Sequence, residues 1–429
     1  MSLKVLPDLK TVNLLIVGAG GRGSGYAGFA ETHPDRAKIV GVAEPREYYR
    51  QQMVEKYKIP GENVFTDWKA ASLRDRFADA VIIATQDSMH VEPAVAFARK
   101  GYNILLEKPM APNAAGCQKI VAAARAAKII FAVCHVMRYT KYTGILKKLI
   151  DSGKIGEIVN IQHLEPVGYW HQAHSFVRGN WRNEKGSSPM LLAKSCHDID
   201  WIKYLMGGRC ESVSSFGTLK HFRRAEKPDG AADRCSDCGI EAQCPYSAIK
   251  IYLKDRLKQG KAEWPVNVLT PDTTVEGVTR ALRDGPYGRC VYACDNDVVD
   301  NQVVNMLFDG KRTASFTMTA FNRGGPRITR IFGEKGELYG DGSIIRHYDF
   351  LSDKTDLIDT NAPEASILGG HGGGDTGIMH AFVAAVADND PGKIISGLNE
   401  TLESHLIVFA AEKARKENTV VNMNCMEKF

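Results

Sequence analysis

The chain has 429 residues, 44% of them hydrophobic and 24% charged, which excludes a disordered polymer and leaves room for two domains with large cores. A net charge of +5, with no block of like charges, gives no support for binding nucleic acid or a membrane surface. No apolar run is long enough to span a bilayer and the first ten residues carry no apolar signal core, so a soluble cytoplasmic protein is expected.

The first element is a buried strand, Val12 to Val17, running directly into Gly18-Ala19-Gly20-Gly21-Arg22-Gly23. A strand that ends in G-x-G-x-x-G and opens a helix is built to receive a pyrophosphate. Gly18 permits the tight turn, Gly20 and Gly21 let backbone approach the phosphates, and Gly23 lets helix pack close to strand, with Arg22 beside them. The helix start adds free N–H groups and partial positive charge. A second strand, 38–43, ends at Glu44, 21 residues past Gly23. A carboxylate there can accept hydrogen bonds from ribose hydroxyls, which points to NAD; Arg46, two residues on, leaves NADP open.

Further strands are expected at 80–84, 103–106 and 129–134, with helices near 24–32, 46–57, 90–100 and 114–127. Alternation of this kind predicts a doubly wound parallel sheet. The end of the 80–84 strand, Thr85 to His90, should lie beside the glycine loop, because ligands bind at the carboxyl ends of such strands. The strand 103–106 ends in Glu107-Lys108-Pro109. A lysine there can meet a substrate hydroxyl and move its proton, and the proline limits where its backbone points.

Beyond Cys134 the pattern changes, and the domain boundary is placed there: 1–134, then 135–429. A helix is expected at 141–152 and a strand at 158–165, followed by an aromatic, imidazole- and guanidinium-rich loop. That loop carries His171, His174, Arg178, Trp181 and Arg182, which suit a polyol, carboxylate or phosphate. Another helix begins near Cys196. Longer strands at 211–221, 303–308, 313–319, 327–332 and 337–339, joined by glycine turns, predict a large mixed sheet with one open face. An amphipathic helix, 398–417, closes the pattern. His371 and Asp375 flank a run of glycines and form a further candidate loop.

The chain holds ten cysteines. Cys117 and Cys134 read as small buried hydrophobes. Cys235, Cys238 and Cys244, with Cys290 and Cys294, cluster in an irregular excursion at about 222–300 with no evident core of its own. In a cytosolic chain a C-x2-C pair binds metal more often than it forms a structural disulfide. Three of these cysteines with Cys290 or Cys294 would close a structural zinc site that pins the excursion; an iron–sulfur cluster is the other occupant.

The glycine loop, Glu44, the strand end with His90, and Glu107-Lys108-Pro109 come in the order and spacing of the Gfo/Idh/MocA oxidoreductases, which the chain resembles over nearly its whole length. The resemblance implies an α/β protein: an N-terminal Rossmann domain, then a C-terminal α/β domain whose open mixed sheet makes a homodimer or homotetramer. It implies hydride transfer between NAD(P) and a carbinol carbon of a carbohydrate or polyol substrate, with Thr85, His90, Glu107 and Lys108 near the cofactor. The family's second signature, D-x-G-x-H-x-x-D, reads here Ala193-Lys194-Ser195-Cys196-His197-Asp198-Ile199-Asp200. Lys108 and His197 become the expected proton-transfer pair, with Asp200, Lys194, His135 and Arg138 as substrate contacts. The family aspartate has become Ala193. That change admits a second reading, redox-neutral cleavage or elimination through transient oxidation. A third, a non-catalytic dinucleotide sensor, is opposed by the retention of Lys108 and His197.

Overall fold

The computed structural model describes residues 10–360 and 372–426. His371 lies outside the described residues, as does most of the segment read above for a signal core.

Apolar runs buried on both sides build the first sheet. Its strands are β1 (Val12–Val17), β2 (Ala37–Ala43), β3 (Val64–Phe65), β4 (Ala80–Ile83), β5 (Asn103–Leu106) and β6 (Phe131–Val133), in the order β3-β2-β1-β4-β5-β6. All neighbours are parallel. Strand order reverses between β1 and β4, and that crevice is where such sheets bind ligands. Leu14, Ile16, Ile82 and Leu105 face one side, against Tyr26 and Phe29. Leu15, Val17, Val81 and Leu106 face the other, against Phe97 and Ile120. The first side is completed by Met379, Phe382 and Val383, on a helix (Gly374–Asp388) that returns from the far end of the chain. Strand β3 and the helix Trp68–Leu73 were not expected from the sequence, since both are too short to show a period.

The second sheet is built from β7 (Ile158–Pro166), β8 (Cys210–Thr218), β9 (Asn301–Phe308), β10 (Arg312–Thr319), β11 (Ile328–Gly333), β12 (Gly336–Gly340), β13 (Ile344–Asp349), β14 (Lys354–Asp359) and β15 (Val421–Asn422). Their order is β14-β13-β12-β11-β7-β10-β9-β8-β15. β7 and β10 run parallel and their other neighbours antiparallel, so the sheet is mixed, as expected. Alternate residues of β9 are buried, and Val303 and Leu307 on its other face stand exposed beside Val159 and Phe216. β13 alternates over its first four residues; β14 is exposed almost throughout, and it escaped the sequence reading for that reason.

The helix Leu398–Glu417 differs from the one-faced helix expected. Leu402 and Phe409 pack against the second sheet's core and also against the first domain's, while Leu406, Ile407, Ala410 and Ala414 are buried in the second. It is a wedge between two cores, so its apolar residues surround it. The excursion, spanning 219–300 between β8 and β9, also differs. Its turns and the helix Val275–Asp284 do enclose a core, of Phe222, Ile251, Tyr252, Val278, Leu282 and Tyr287.

Gly18 adopts φ +89°, and a Cβ built on Gly23 would stand 1.9 Å from the Gly18 carbonyl oxygen. Gly23→Ala should therefore cost about 1–3 kcal/mol of stability and abolish stabilisation by NAD, because the turn must open to admit the methyl. Thermal melts with and without NAD check this; an unchanged melting temperature and an unchanged NAD shift would reject it.

Candidate active site

At the carboxyl ends of β1, β2 and β4 lies a cleft of about 640 Å³ lined by Gly18, Gly20, Gly21, Arg22, Glu44, Arg46, Thr85, Asp87, Trp181 and Ser187, among others. The glycine turn and Glu44 thus meet as the sequence predicts. Glu44 is 2% exposed and accepts from the Ala19 N–H at 2.8 Å. The Arg46 guanidinium grips the same carboxylate at 2.7 and 3.0 Å. Burial alone would raise the Glu44 carboxyl, but the Arg46 and Ala19 hydrogen bonds outweigh it and hold it below its ordinary value.

Two of the expected cofactor residues are framework instead. The Glu107 carboxylate turns inward and is bound by Arg22, by the Tyr26 hydroxyl at 2.8 Å and by the Lys108 N–H at 2.7 Å. Arg22 also pairs with Asp375 at 2.8 Å, so Asp375 of the glycine-flanked segment does reach this site. His90 is wholly buried, its ring nitrogens 2.7 Å from the Pro109 carbonyl and 3.2 Å from that of Thr85. It ties the end of β4 to the turn after β5.

With Glu107 anchored behind it, Lys108 points the other way. Its ammonium donates to the backbone carbonyl of Ala193 at 2.6 Å. Ala193 stands where the resembled signature has its aspartate, so a neutral carbonyl orients this lysine; among the described residues no carboxylate forms an ion pair with it. Lys194 pairs with Glu165 at 3.0 Å. His171 lies in the field of both lysines: burial first, then Lys194, His174 and Lys108, push its imidazole well below the ordinary value. His197, at the start of the helix Cys196–Met206, is 5% exposed, and its ring meets that of His135 edge-on at 5.8 Å. The two lysines, His171 and His197 are among the polar groups gathered here, with Glu165 on Lys194.

Several expected substrate contacts are committed elsewhere. Arg138 and Asp200 are buried and bind each other through two hydrogen bonds of 2.7 Å. His135 is buried 3.6 Å from Asp200. His174 turns into the excursion, bonded to the Tyr252 hydroxyl at 2.8 Å and stacked on Tyr287. Arg182 pairs with Asp295, also in the excursion, at 2.8 Å. Trp181, with its neighbour Asn180, reaches the cofactor cleft, where its indole N–H faces Asp87 at 3.4 Å.

Four residues were missed. Glu165, at the end of β7, and Asp198, beside His197, converge on Arg327, which stands just before β11. His163 reaches Asp198 at 3.0 Å. These partners outweigh burial and hold the Asp198 carboxyl far below its usual range. Alternation along β7 could have placed His163 and Glu165 on the inward face; nothing local marks Arg327.

The cysteines part company with a single-ion zinc site. Cys235, Cys238, Cys244 and Cys290 line one cavity of about 230 Å³, but Cys294 is not among them and donates to the Cys290 carbonyl. Among the described residues, no three His, Cys, Asp or Glu side chains converge closely enough to share one ion.

Two family models match this chain. Residues 12–135 match the Gfo/Idh/MocA oxidoreductase family's NAD-binding Rossmann fold, and residues 147–423 match its C-terminal alpha/beta domain. The chain belongs to the Gfo/Idh/MocA oxidoreductase family. It is 31% identical over 209 residues (49% of this chain, 53% of the relative) to a 2,7-anhydro-N-acetylneuraminate hydratase of Mediterraneibacter gnavus. It is 30% identical over 226 residues (52% and 60%) to an inositol 2-dehydrogenase of Streptomyces avermitilis. These matches span little more than half of either relative's length. Among solved structures, a levoglucosan dehydrogenase in complex with NADH and levoglucosan shares the fold, with TM-score 0.70 at 17% identity, covering 96% of this chain and all (100%) of that one. Among the described residues, no helix is long and apolar enough to cross a membrane.

Three buried histidines are held neutral. Burial, chiefly, pushes His135 and His174 down to about 3 and His405 to about 4. In the unfolded chain each titrates near about 6.5. Below that pH the unfolded state takes protons that the folded state refuses. Their contribution is therefore fully present above about pH 6.5 and is lost as pH falls toward the folded values, at up to about 1.4 kcal/mol per pH unit for each. His174→Gln should flatten the decline in melting temperature between about pH 7 and about pH 5. Parallel curves for the variant and native protein would contradict this.

Proposed function

We propose that the protein transfers a hydride between a nicotinamide cofactor and a carbinol carbon of a sugar, sugar acid or cyclitol. The observation that carries this is the Lys108 ammonium, held on the Ala193 carbonyl next to the glycine-loop cleft and facing His171, Lys194 and the His197 helix. NAD, when bound, supplies the hydride acceptor. The glycine turn and the helix behind it would take its pyrophosphate, and Glu44 its ribose. The single proton that leaves the substrate hydroxyl as its C–H hydride departs would pass to the Lys108–His197 pair, to whichever member is neutral at that step. Lys194 and His171 would hold neighbouring hydroxyls.

NAD should bind more tightly than NADP, because the Glu44 carboxylate stands where the extra phosphate must go. Arg46 already grips that carboxylate, so Glu44→Gln should narrow the gap. Tighter binding of NADP by the native protein would overturn the assignment.

A redox-neutral reaction is the second reading. It is favoured by Ala193 at the signature aspartate's position and by the similarity to hydratases. Net NADH from a panel of sugars and cyclitols supports the first reading; substrate loss without net NADH supports the second. Under either, Lys108→Met should keep cofactor affinity and lower kcat by about 10²–10⁴-fold. Near-native turnover would make Lys108 a structural residue. The open face of the second sheet, with Phe216 60% exposed, is the surface we assign to a second copy of the chain; a monomer in light scattering would refute that.

A further inference from the structure

Cys235, Cys238 and Cys244 lie close together in sequence, and Cys290, from a distant part of the excursion, meets them around one cavity. Two successive tight turns, Cys235–Asp237 and Glu241–Gln243, each deliver a cysteine in nearly the same backbone conformation: φ −88°, ψ 117° at Cys238 and φ −86°, ψ 117° at Cys244. A bridge between Arg234 and Arg289, with the Cys290 N–H donating to the Asp233 carbonyl at 2.8 Å, brings Cys290 alongside Cys235. Cys235 Sγ accepts from the Ala248 N–H at 3.4 Å.

A second observation is independent of the sulfurs. Arg178, 1% exposed, lines the same cavity. Its Nε donates to the Arg289 carbonyl at 2.7 Å, and its Nη2 to the Tyr246 carbonyl at 2.8 Å and to Cys235 Sγ at 3.7 Å. Its Nη1 has no hydrogen-bond partner, and among the described residues no carboxylate forms an ion pair with it. A buried, permanent cation without a counter-charge is costly. Neutral thiols do not supply one. Metal coordination strips the thiol protons and leaves a negatively charged centre beside the guanidinium.

Size selects the occupant. Zinc at about 2.3 Å from each of four sulfurs draws them to within about 4 Å of one another. Here no three His, Cys, Asp or Glu side chains among the described residues are grouped to hold one ion, and the four cysteines lie along the wall of a cavity of about 230 Å³ instead. The geometry points to a [4Fe–4S] cluster, bound as each of the four thiols gives up its proton and forms one Fe–S bond. The cluster pins the excursion and neutralises Arg178. It is a structural centre and is independent of the substrate reading above.

The test is the metal content of native, full-length protein, expressed with iron supplied and purified anaerobically without chelator. Roughly four iron and four acid-labile sulfide per chain, with a brown chromophore bleached by dithionite, are expected. About one zinc without sulfide would overturn the cluster, and so would protein free of both metals. Cys238→Ser should lose the chromophore and Cys294→Ser should keep it. Should Cys238→Ser fail to fold, the iron and sulfide content of native protein and of Cys294→Ser decides; loss of iron from a folded Cys294→Ser would reject this ligand set.

Discussion

Glu107 stands buried among three donors from different parts of the backbone and side chains: the Arg22 guanidinium, the Tyr26 hydroxyl and the N–H of its own neighbour, Lys108. A carboxylate in that position loses its hydration and must be fully satisfied by the protein. Arg22 and Tyr26 belong to the helix behind the glycine turn, and Arg22 also holds Asp375 on the returning helix. One buried charge therefore locks the phosphate turn, the end of β5 and the helix Gly374–Asp388 together. Because Glu107 is fixed on the inner side, its neighbour Lys108 is directed to the opposite side, into the site. The position of Lys108 thus follows from the ion pair that its neighbour Glu107 makes with Arg22.

The same logic runs through the second domain. Asp200 is spent on Arg138, and Asp198 and Glu165 on Arg327 and Lys194. Each of these carboxylates is buried, and each has recruited a cation. What remains facing Lys108 is a carbonyl oxygen, at a position where the resembled signature carries an acid. A site with two lysines and a neutral acceptor favours charge that develops as an alkoxide or enolate, whichever way the electrons then go. That is why the geometry fits oxidation as the first step of either reading, and why net cofactor turnover is the measurement that separates them.

Legibility of the sequence followed the range of the interactions. Unbroken apolar runs and the glycine turn are local, so β1, β2, β4 and β5 and the cofactor cleft could be placed with little error. Lys108 and His197 came from motifs; the structure sets Lys108 on the Ala193 carbonyl and His197 at the start of the helix Cys196–Met206. Arg138, Asp200, His174 and Arg182 were expected to meet substrate, but their partners, from Asp200 for Arg138 to Asp295 for Arg182, are far away in sequence, and nothing local shows that a charge is already neutralised. Arg327 was missed for the converse reason. The helix Leu398–Glu417 looked one-faced because the second core it touches is formed by a domain whose position no periodicity records.

The segment from Gly168 to Ser188 shows how the excursion enters the chemistry. Residues Gln172–Arg178 form a wide π-type turn, a form with weak internal support that recurs at functional sites. Its placement must then come from side-chain anchors, and these point mainly one way. The Gln172 amide donates to the Val299 carbonyl, His174 meets Tyr252, and Arg178 spans from Tyr246 to Arg289. All of these partners lie in the excursion. His171 and Trp181, which flank the anchored turn, face the lysines and the cofactor cleft. The excursion therefore acts as the mould for the segment from Gly168 to Ser188. A change in how the excursion is held, at Arg178 above all, would reach His171 and Trp181 through one short stretch of backbone.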